Sequence, residues 1–62
     1  MIIKIHEVLD VLEKVNNNQA EFCRLVGAYQ QNMKRYLLGY VVIEREGKFK
    51  LDKEEFWRDN SN

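Results

Sequence analysis

Apolar residues recur at helical spacing on both sides of a glycine near the middle of the chain. These positions are Phe22, Cys23 and Val26 before the glycine, and Met33, Tyr36 and Leu37 after it. Because residues three and four apart share one helix face, each segment is amphipathic by itself. Gly27 adopts a positive φ at little cost because it has no Cβ. The pattern predicts two short helices within 19–39, joined by a tight turn at Gly27, with the small Cys23 side chain as their packing contact.

The chain before this helix pair begins with a β-branched apolar run, residues 1–5. The run suits either a short strand or the first turn of the following helix, and we favour a strand. From His6 the period changes to that of an amphipathic helix of roughly ten residues. Its predicted apolar stripe is Ile5, Val8, Leu9, Leu12 and Val15. Asparagines 16–18 should end this helix, and Asn18 should cap the next one.

After Gly39 the pattern becomes that of a β-hairpin at about 40–52. A β-branched run, 40–43, precedes a turn that contains glycine, and the polar and apolar residues then alternate over 48–51. Asp52 is expected to cap a final helical turn, 53–58. The whole chain, 1–62, is therefore predicted to be one α+β domain, with a short N-terminal strand, three helices and a C-terminal β-hairpin.

Length and composition restrict the classes of protein to consider. A chain of 62 residues buries only about 60% of its unfolded surface, so we expect marginal stability and a homodimer. With one cysteine and one histidine, the chain forms no internal disulfide and no tetrahedral zinc site, and no cofactor is expected. The single cysteine favours a reducing compartment. The sequence contains no membrane-length apolar stretch and no signal peptide pattern.

The charges are balanced overall but unevenly distributed. Ten basic and ten acidic residues argue against indiscriminate nucleic-acid binding driven by net positive charge. Residues 22–43, however, contain Arg24, Lys34 and Arg35 and no acidic residue. This uncompensated positive segment includes the second helix of the predicted pair.

The polar residues of the helix pair are suited to contact double-stranded DNA. Glutamine both donates to and accepts from the adenine edge in the major groove, and Lys and Arg suit phosphates or guanine. A side chain at the start of the first helix, Gln19, is placed to bond a phosphate. The predicted DNA-binding residues are Asn18, Gln19, Arg24, Tyr29, Gln30, Gln31, Lys34 and Arg35.

The stretch QAEFCRLVG followed by AYQQNM resembles the helix-turn-helix of lambdoid phage repressors and Cro proteins. Gln19, Cys23, Gly27 and Met33 occupy the family's characteristic places, although the family usually has alanine at the second and isoleucine or valine at the fourth. The Tyr29-Gln30 pair and the hairpin after the second helix resemble lambda-type Cro more than the all-helical repressors. The resemblance covers residues 18–56. It implies a transcriptional repressor that binds palindromic operator DNA as a homodimer in the cytoplasm of a bacterial host, associated with the nucleoid.

The hairpin is the element expected to form the dimer, because its second strand would be an exposed edge. The predicted interface consists of Lys48, Phe49, Lys50, Leu51, Phe56 and Trp57. The two aromatic residues at the end of this set either close the core locally or reach the second subunit.

Other classes of function were weighed against this one. His6 and Cys23 could pair as a base and a nucleophile, but no third group orients them, so we expect neither an enzyme nor a small-molecule substrate. An ordinary helical hairpin without a ligand explains the apolar pattern but not the paired glutamines. The remaining alternatives are an excisionase-like protein that bends DNA and an antirepressor-type module that binds another protein.

Overall fold

The computed structural model describes residues 2–57, and these form one α+β unit. In chain order the elements are strand β1 (Ile3–Glu7), helix α1 (Val8–Lys14), helix α2 (Gln19–Val26), a 3₁₀ turn (Gln30–Asn32), helix α3 (Met33–Gly39), strand β2 (Tyr40–Arg45), strand β3 (Lys48–Lys53) and a second 3₁₀ turn (Glu54–Phe56). The predicted fold class, with its N-terminal strand, three helices and C-terminal hairpin, is confirmed.

The three strands form one antiparallel sheet in the order β1-β2-β3. Val42 at the centre of the sheet pairs with His6 on one side and Leu51 on the other. Val42 is fully enclosed and belongs to the same core cluster as the buried residues of all three helices. The helices therefore cover one face of the sheet, with α1 against β1 and β2, α2 against β3 and α3 against β2.

The first helix begins later than its apolar pattern predicts, because β1 continues to Glu7. His6 was expected at the start of the helix and instead lies in the strand. The residues that α1 buries are Val8, Val11 and Leu12, whereas Leu9 is exposed. The predicted stripe was wrong at Ile5, which is exposed in β1, and at Leu9, and it left out Val11. Val8, Val11, Leu12 and the half-buried Val15 have the i, i+3, i+4, i+7 spacing of one helix face.

The turn between α2 and α3 has the conformation that Gly27 was predicted to supply. Its φ and ψ are 70° and 40°, in the left-handed region. The backbone N–H of Ala28 donates to the carbonyl of Cys23 at 2.8 Å, which ends α2. At the other end of α2, the side chain of Asn18 accepts from the backbone N–H of Glu21 at 3.1 Å. Both predicted ends of this helix are confirmed.

The hairpin turn is made by Glu46 and Gly47, which both have positive φ, 53° and 77°. Two consecutive residues of this kind give the turn that matches the twist of paired strands. Phe49 and Leu51 are half-buried and pack against the core cluster, while Lys48 and Lys50 are exposed. The predicted alternation of the two faces of β3 is confirmed.

The segment after the hairpin differs from the prediction. Asp52 belongs to β3 and does not cap a helix; the short 3₁₀ turn that follows has no side-chain cap. The two carboxylate oxygens of Asp52 instead accept from the indole N–H of Trp57 at 2.7 Å and from the backbone N–H of Lys53 at 2.8 Å. The part of the predicted final turn beyond residue 57 lies outside the described residues.

Replacement of Gly27 by valine should lower the free energy of unfolding by at least about 1–2 kcal/mol, through backbone strain alone. A Cβ at this position would meet no atom within 4 Å, so crowding does not contribute. Gly27→Asn should cost less, because asparagine tolerates left-handed backbone. Urea denaturation measures the three proteins. The matched control is Gly39→Ala, since a Cβ at Gly39 also meets nothing within 4 Å and its φ is not positive; a loss as large as that of Gly27→Val would contradict this account.

Protonation of Asp52 should weaken the contact that holds Trp57. The pKa of Asp52 is lowered chiefly by the hydrogen bond from the Trp57 indole and next by that from the Lys53 backbone. A lowered native pKa gives stability that is present above the unfolded pKa, about 3.9, and is lost as the pH falls below it. The difference in unfolding free energy between wild type and Asp52→Asn should therefore be constant near neutrality and shrink below about pH 4. A difference that stayed constant down to pH 2 would show that this carboxylate contributes nothing.

Candidate nucleic-acid interface

The outward side of α3 is defined by the residues that face inward. Met33 and Tyr36 are buried in the core. Lys34 and Arg35 are exposed on the opposite side, and Gln30 and Gln31 are exposed in the 3₁₀ turn before the helix. The four polar residues predicted to contact bases or phosphates are therefore all accessible on one continuous segment, 30–35.

The start of this segment differs from the prediction in one respect. Gln30 and Gln31 do not open an α-helix; they form a 3₁₀ turn that continues into α3 at Met33. Tyr29 precedes this turn with extended backbone, φ −104° and ψ 129°. A 3₁₀ turn winds more tightly than an α-helix, so the two glutamines point in directions that helical periodicity alone does not give.

Tyr29 is linked to α3 through its backbone while its ring stays free. The N–H of Tyr29 lies 3.4 Å from the hydroxyl oxygen of Tyr36, which accepts this bond. The ring of Tyr36 also meets that of Tyr40 edge to face, with centroids 5.2 Å apart. The side chain of Tyr29 is 71% exposed. Tyr36 therefore fixes where this segment leaves the turn, and the Tyr29 ring remains available for a ligand.

Two predicted phosphate contacts lie at the start of α2, and they are not equivalent. Gln19 is the first residue of the helix and is exposed. The side-chain oxygen of Asn18 already accepts the N–H of Glu21. Gln19 is thus the freer of the two to bond a phosphate, while Asn18 has a structural role as the helix cap.

Arg24 has an acidic partner, although the acid-free segment that contains it suggested an uncompensated charge. Its guanidinium donates to the carboxylate of Glu21 at 3.0 Å, an i,i+3 pair on the surface of α2. Glu21 lies immediately before the acid-free segment, 22–43, and within one helical turn of Arg24. Exposed pairs of this kind contribute little stability, so a phosphate that approaches Arg24 competes with a weakly held partner. Lys34 and Arg35 remain the positive charges of an acid-free stretch, residues 28–43.

The predicted dimer residues divide into two groups. Phe49 and Leu51 pack against the core of their own chain, and the indole of Trp57 is bonded to Asp52. Lys48, Lys50 and Phe56 are exposed. Trp57 therefore packs locally, and β3 presents mainly its open edge and its lysines to the surroundings.

One polar pair on the sheet was not predicted from the sequence. His6 Nε2 lies 2.8 Å from Glu44 Oε1, and the imidazole is 6.2 Å from the ring of Phe49, centroid to centroid. Strand alternation would have indicated the direction of the His6 side chain only if the predicted strand had continued past Ile5. His6 is thus engaged with the sheet and not placed as a partner for a thiol.

Cys23 has the surroundings of a packing residue. It is buried in the core cluster, and this burial raises the pKa of its thiol. A raised pKa lowers the fraction of thiolate, which is the nucleophilic form. Within residues 2–57 no group of three or more His, Cys, Asp or Glu side chains could hold a metal ion. Over the same range, no helix has the length and apolar character needed to cross a membrane.

Comparisons of this chain with models of protein families, with curated proteins and with solved structures find no match.

Proposed function

We propose that this protein binds double-stranded DNA in a sequence-specific way and represses transcription as a homodimer. The observation that carries the proposal is the outward side of segment 30–35, where two glutamines and two cations are exposed and no acidic residue stands between them. Glutamine amides suit the adenine edge and the cations suit guanine or phosphate. The resemblance to the Cro proteins of lambdoid phages supports the same function, in the cytoplasm of a bacterial host.

The arrangement of α2 and α3 supports a division of roles. In helix-turn-helix proteins the second helix lies in the major groove while the first crosses the backbone. In this chain α3 would be the recognition helix, with Gln30 and Gln31 as the base contacts. Gln19 and Arg24 on α2 would bond phosphates and set the register of the recognition helix on the duplex.

The small DNA contact of a single subunit supports a homodimer. One recognition helix contacts only a few base pairs, and two related by a two-fold axis would lie about 34 Å apart on a palindromic site. The open edge of β3 is the proposed contact between subunits. Along a strand in an antiparallel pair, successive residues direct their backbone N–H groups alternately toward the partner strand and away from it. Lys48 follows the two-residue turn at Glu46-Gly47 and bonds to β2, so the N–H of Leu51, three residues later, points away from β2.

Selection from random duplexes distinguishes this function from its alternatives. The proposed repressor should enrich a palindromic consensus with half-sites one helical turn apart. A DNA-bending protein of the excisionase type would enrich loosely defined deformable sequences instead. A protein-interaction module would enrich no sequence.

Replacement of Gln30 or Gln31 by alanine should weaken binding to the selected site by about 1–3 kcal/mol and relax the preference at particular base pairs. Lys34→Gln or Arg35→Gln should instead weaken binding to all sequences and lower the slope of log K against log salt by about one. Gel shifts at several salt concentrations measure both effects. A uniform loss on all sequences for the glutamine variants, or an unchanged salt slope for both cation variants, would contradict the assigned roles.

Blocking the edge of β3 should abolish the dimer without disturbing the core. Phe49→Asp removes the dimer in this proposal, but Phe49 also packs on its own core, so the sharper variant is a synthetic chain with a methylated Leu51 amide. Sedimentation should show a monomer, and affinity for the palindrome should fall while circular dichroism stays unchanged. The matched control methylates the Ile5 amide on β1, the other outer strand. A dimer lost only in the control would assign the interface to β1.

A further inference from the structure

Leu38 is an apolar residue on the polar side of α3. Its side chain is 79% exposed, and nearly the whole leucine surface is therefore in water. Met33 and Tyr36 define the buried side of the helix. With about 100° of rotation per residue, Leu38 points almost directly away from them. Within residues 2–57 the fold therefore leaves most of this side chain uncovered.

The neighbours of Leu38 are the cations that the proposed function assigns to DNA. Lys34 and Arg35 lie four and three residues before it, the spacing at which side chains share one helix face. The three residues line one surface groove, together with Gly39, Tyr40, Lys53 and Glu55. A single exposed leucine is ordinary on a protein surface, but this one lies on the face whose two flanking cations would bring it against a polyanion.

The length of α3 decides how far into the duplex Leu38 reaches. Seven residues at 1.5 Å each give a helix about 10 Å long, so Leu38 lies about 7.5 Å along the helix axis from Met33. With the start of α3 in the major groove, the last turn of so short a helix would stay near the base edges. Among the base edges exposed there, the apolar group is the C5-methyl of thymine.

We propose that Leu38 packs against the 5-methyl group of a thymine in each half-site and thereby selects thymine at that position. The inference rests on the proposed function, because it requires α3 to lie in the major groove. It adds an apolar specificity contact beyond the base pairs that Gln30 and Gln31 would contact. The lysine and arginine on the same face hold the leucine at the base edges through their phosphate or guanine contacts.

Replacement of thymine by deoxyuridine tests this contact, because it removes only the methyl group. The duplex is the one selected by the wild-type chain from random DNA, with each thymine replaced singly and symmetrically in both half-sites. At one position, wild-type affinity should fall about fourfold per half-site, the effect of exposing one methyl-sized group. Leu38→Ala should bind the thymine and deoxyuridine duplexes equally at that position. Leu38→Met, which keeps an apolar side chain, should retain part of the preference.

The matched control is Leu9→Ala, because Leu9 on α1 is also highly exposed, at 65%, and the proposal places it outside the DNA contact. This variant should discriminate thymine from deoxyuridine as the wild type does. Discrimination that persists in Leu38→Ala would overturn the inference, and so would equal losses at every thymine. A lower sedimentation mass for Leu38→Ala, without a position-specific loss, would assign Leu38 to a subunit contact.

The selection itself separates failure of the inference from failure of the proposed function. If the wild-type chain enriches no consensus, both fall together. If it enriches a palindrome that contains no thymine dependent on Leu38, the DNA-binding function stands and the role of Leu38 is wrong.

Discussion

The helix pair depends on the central strand beneath it. Phe22 of α2 and Val42 of β2 are the largest side chains fully enclosed among the described residues, and they belong to the same core cluster. A domain this small has few residues to bury, so loss of one large core side chain removes a large part of its stability. The angle and height at which α3 stands above the sheet are set by this packing, through Met33 and Tyr36. Any function of the outward side of α3 therefore rests on contacts made on its inward side.

Because the domain has few residues to bury, the structural residues of α3 and its candidate functional residues lie on different sides of the helix. Met33 and Tyr36 on its inward side are buried, while Lys34 and Arg35 on its outward side are exposed, as are Gln30 and Gln31 in the 3₁₀ turn before it. Substitutions on that side should alter binding without altering the core, which is what makes the proposed base and phosphate contacts separable by experiment. On α2 the two duties overlap, since Asn18 caps the start of the helix and Arg24 in its last turn bonds Glu21.

Much of the fold could be predicted because it depends on local chemistry. Gly27 and Gly47 have positive φ, and glycine is the residue type that marks such positions, whereas the positive φ of Glu46 is not recognisable in this way. The start of α1 was not predictable in this way: β1 continues to Glu7 because His6 and Glu7 pair with Val42 and Val41 of β2, far along the chain. Three further features were not predicted, because each depends on the orientation of a side chain or turn, which composition does not give. They are the Glu21–Arg24 pair, the 3₁₀ turn at Gln30 and the Asp52–Trp57 bond.

Zero net charge has a consequence for the proposed complex with DNA. Non-specific affinity comes almost wholly from cations that displace counterions from phosphates, and this chain has as many acidic as basic residues. Its non-specific affinity should therefore be low, and a low non-specific affinity raises the ratio of specific to non-specific binding. A second subunit would raise the affinity for the specific site without changing the net charge of zero, since each copy adds both its recognition helix and its own acidic residues. Dimerisation and local charge separation would thus replace the overall positive charge that many DNA-binding proteins rely on.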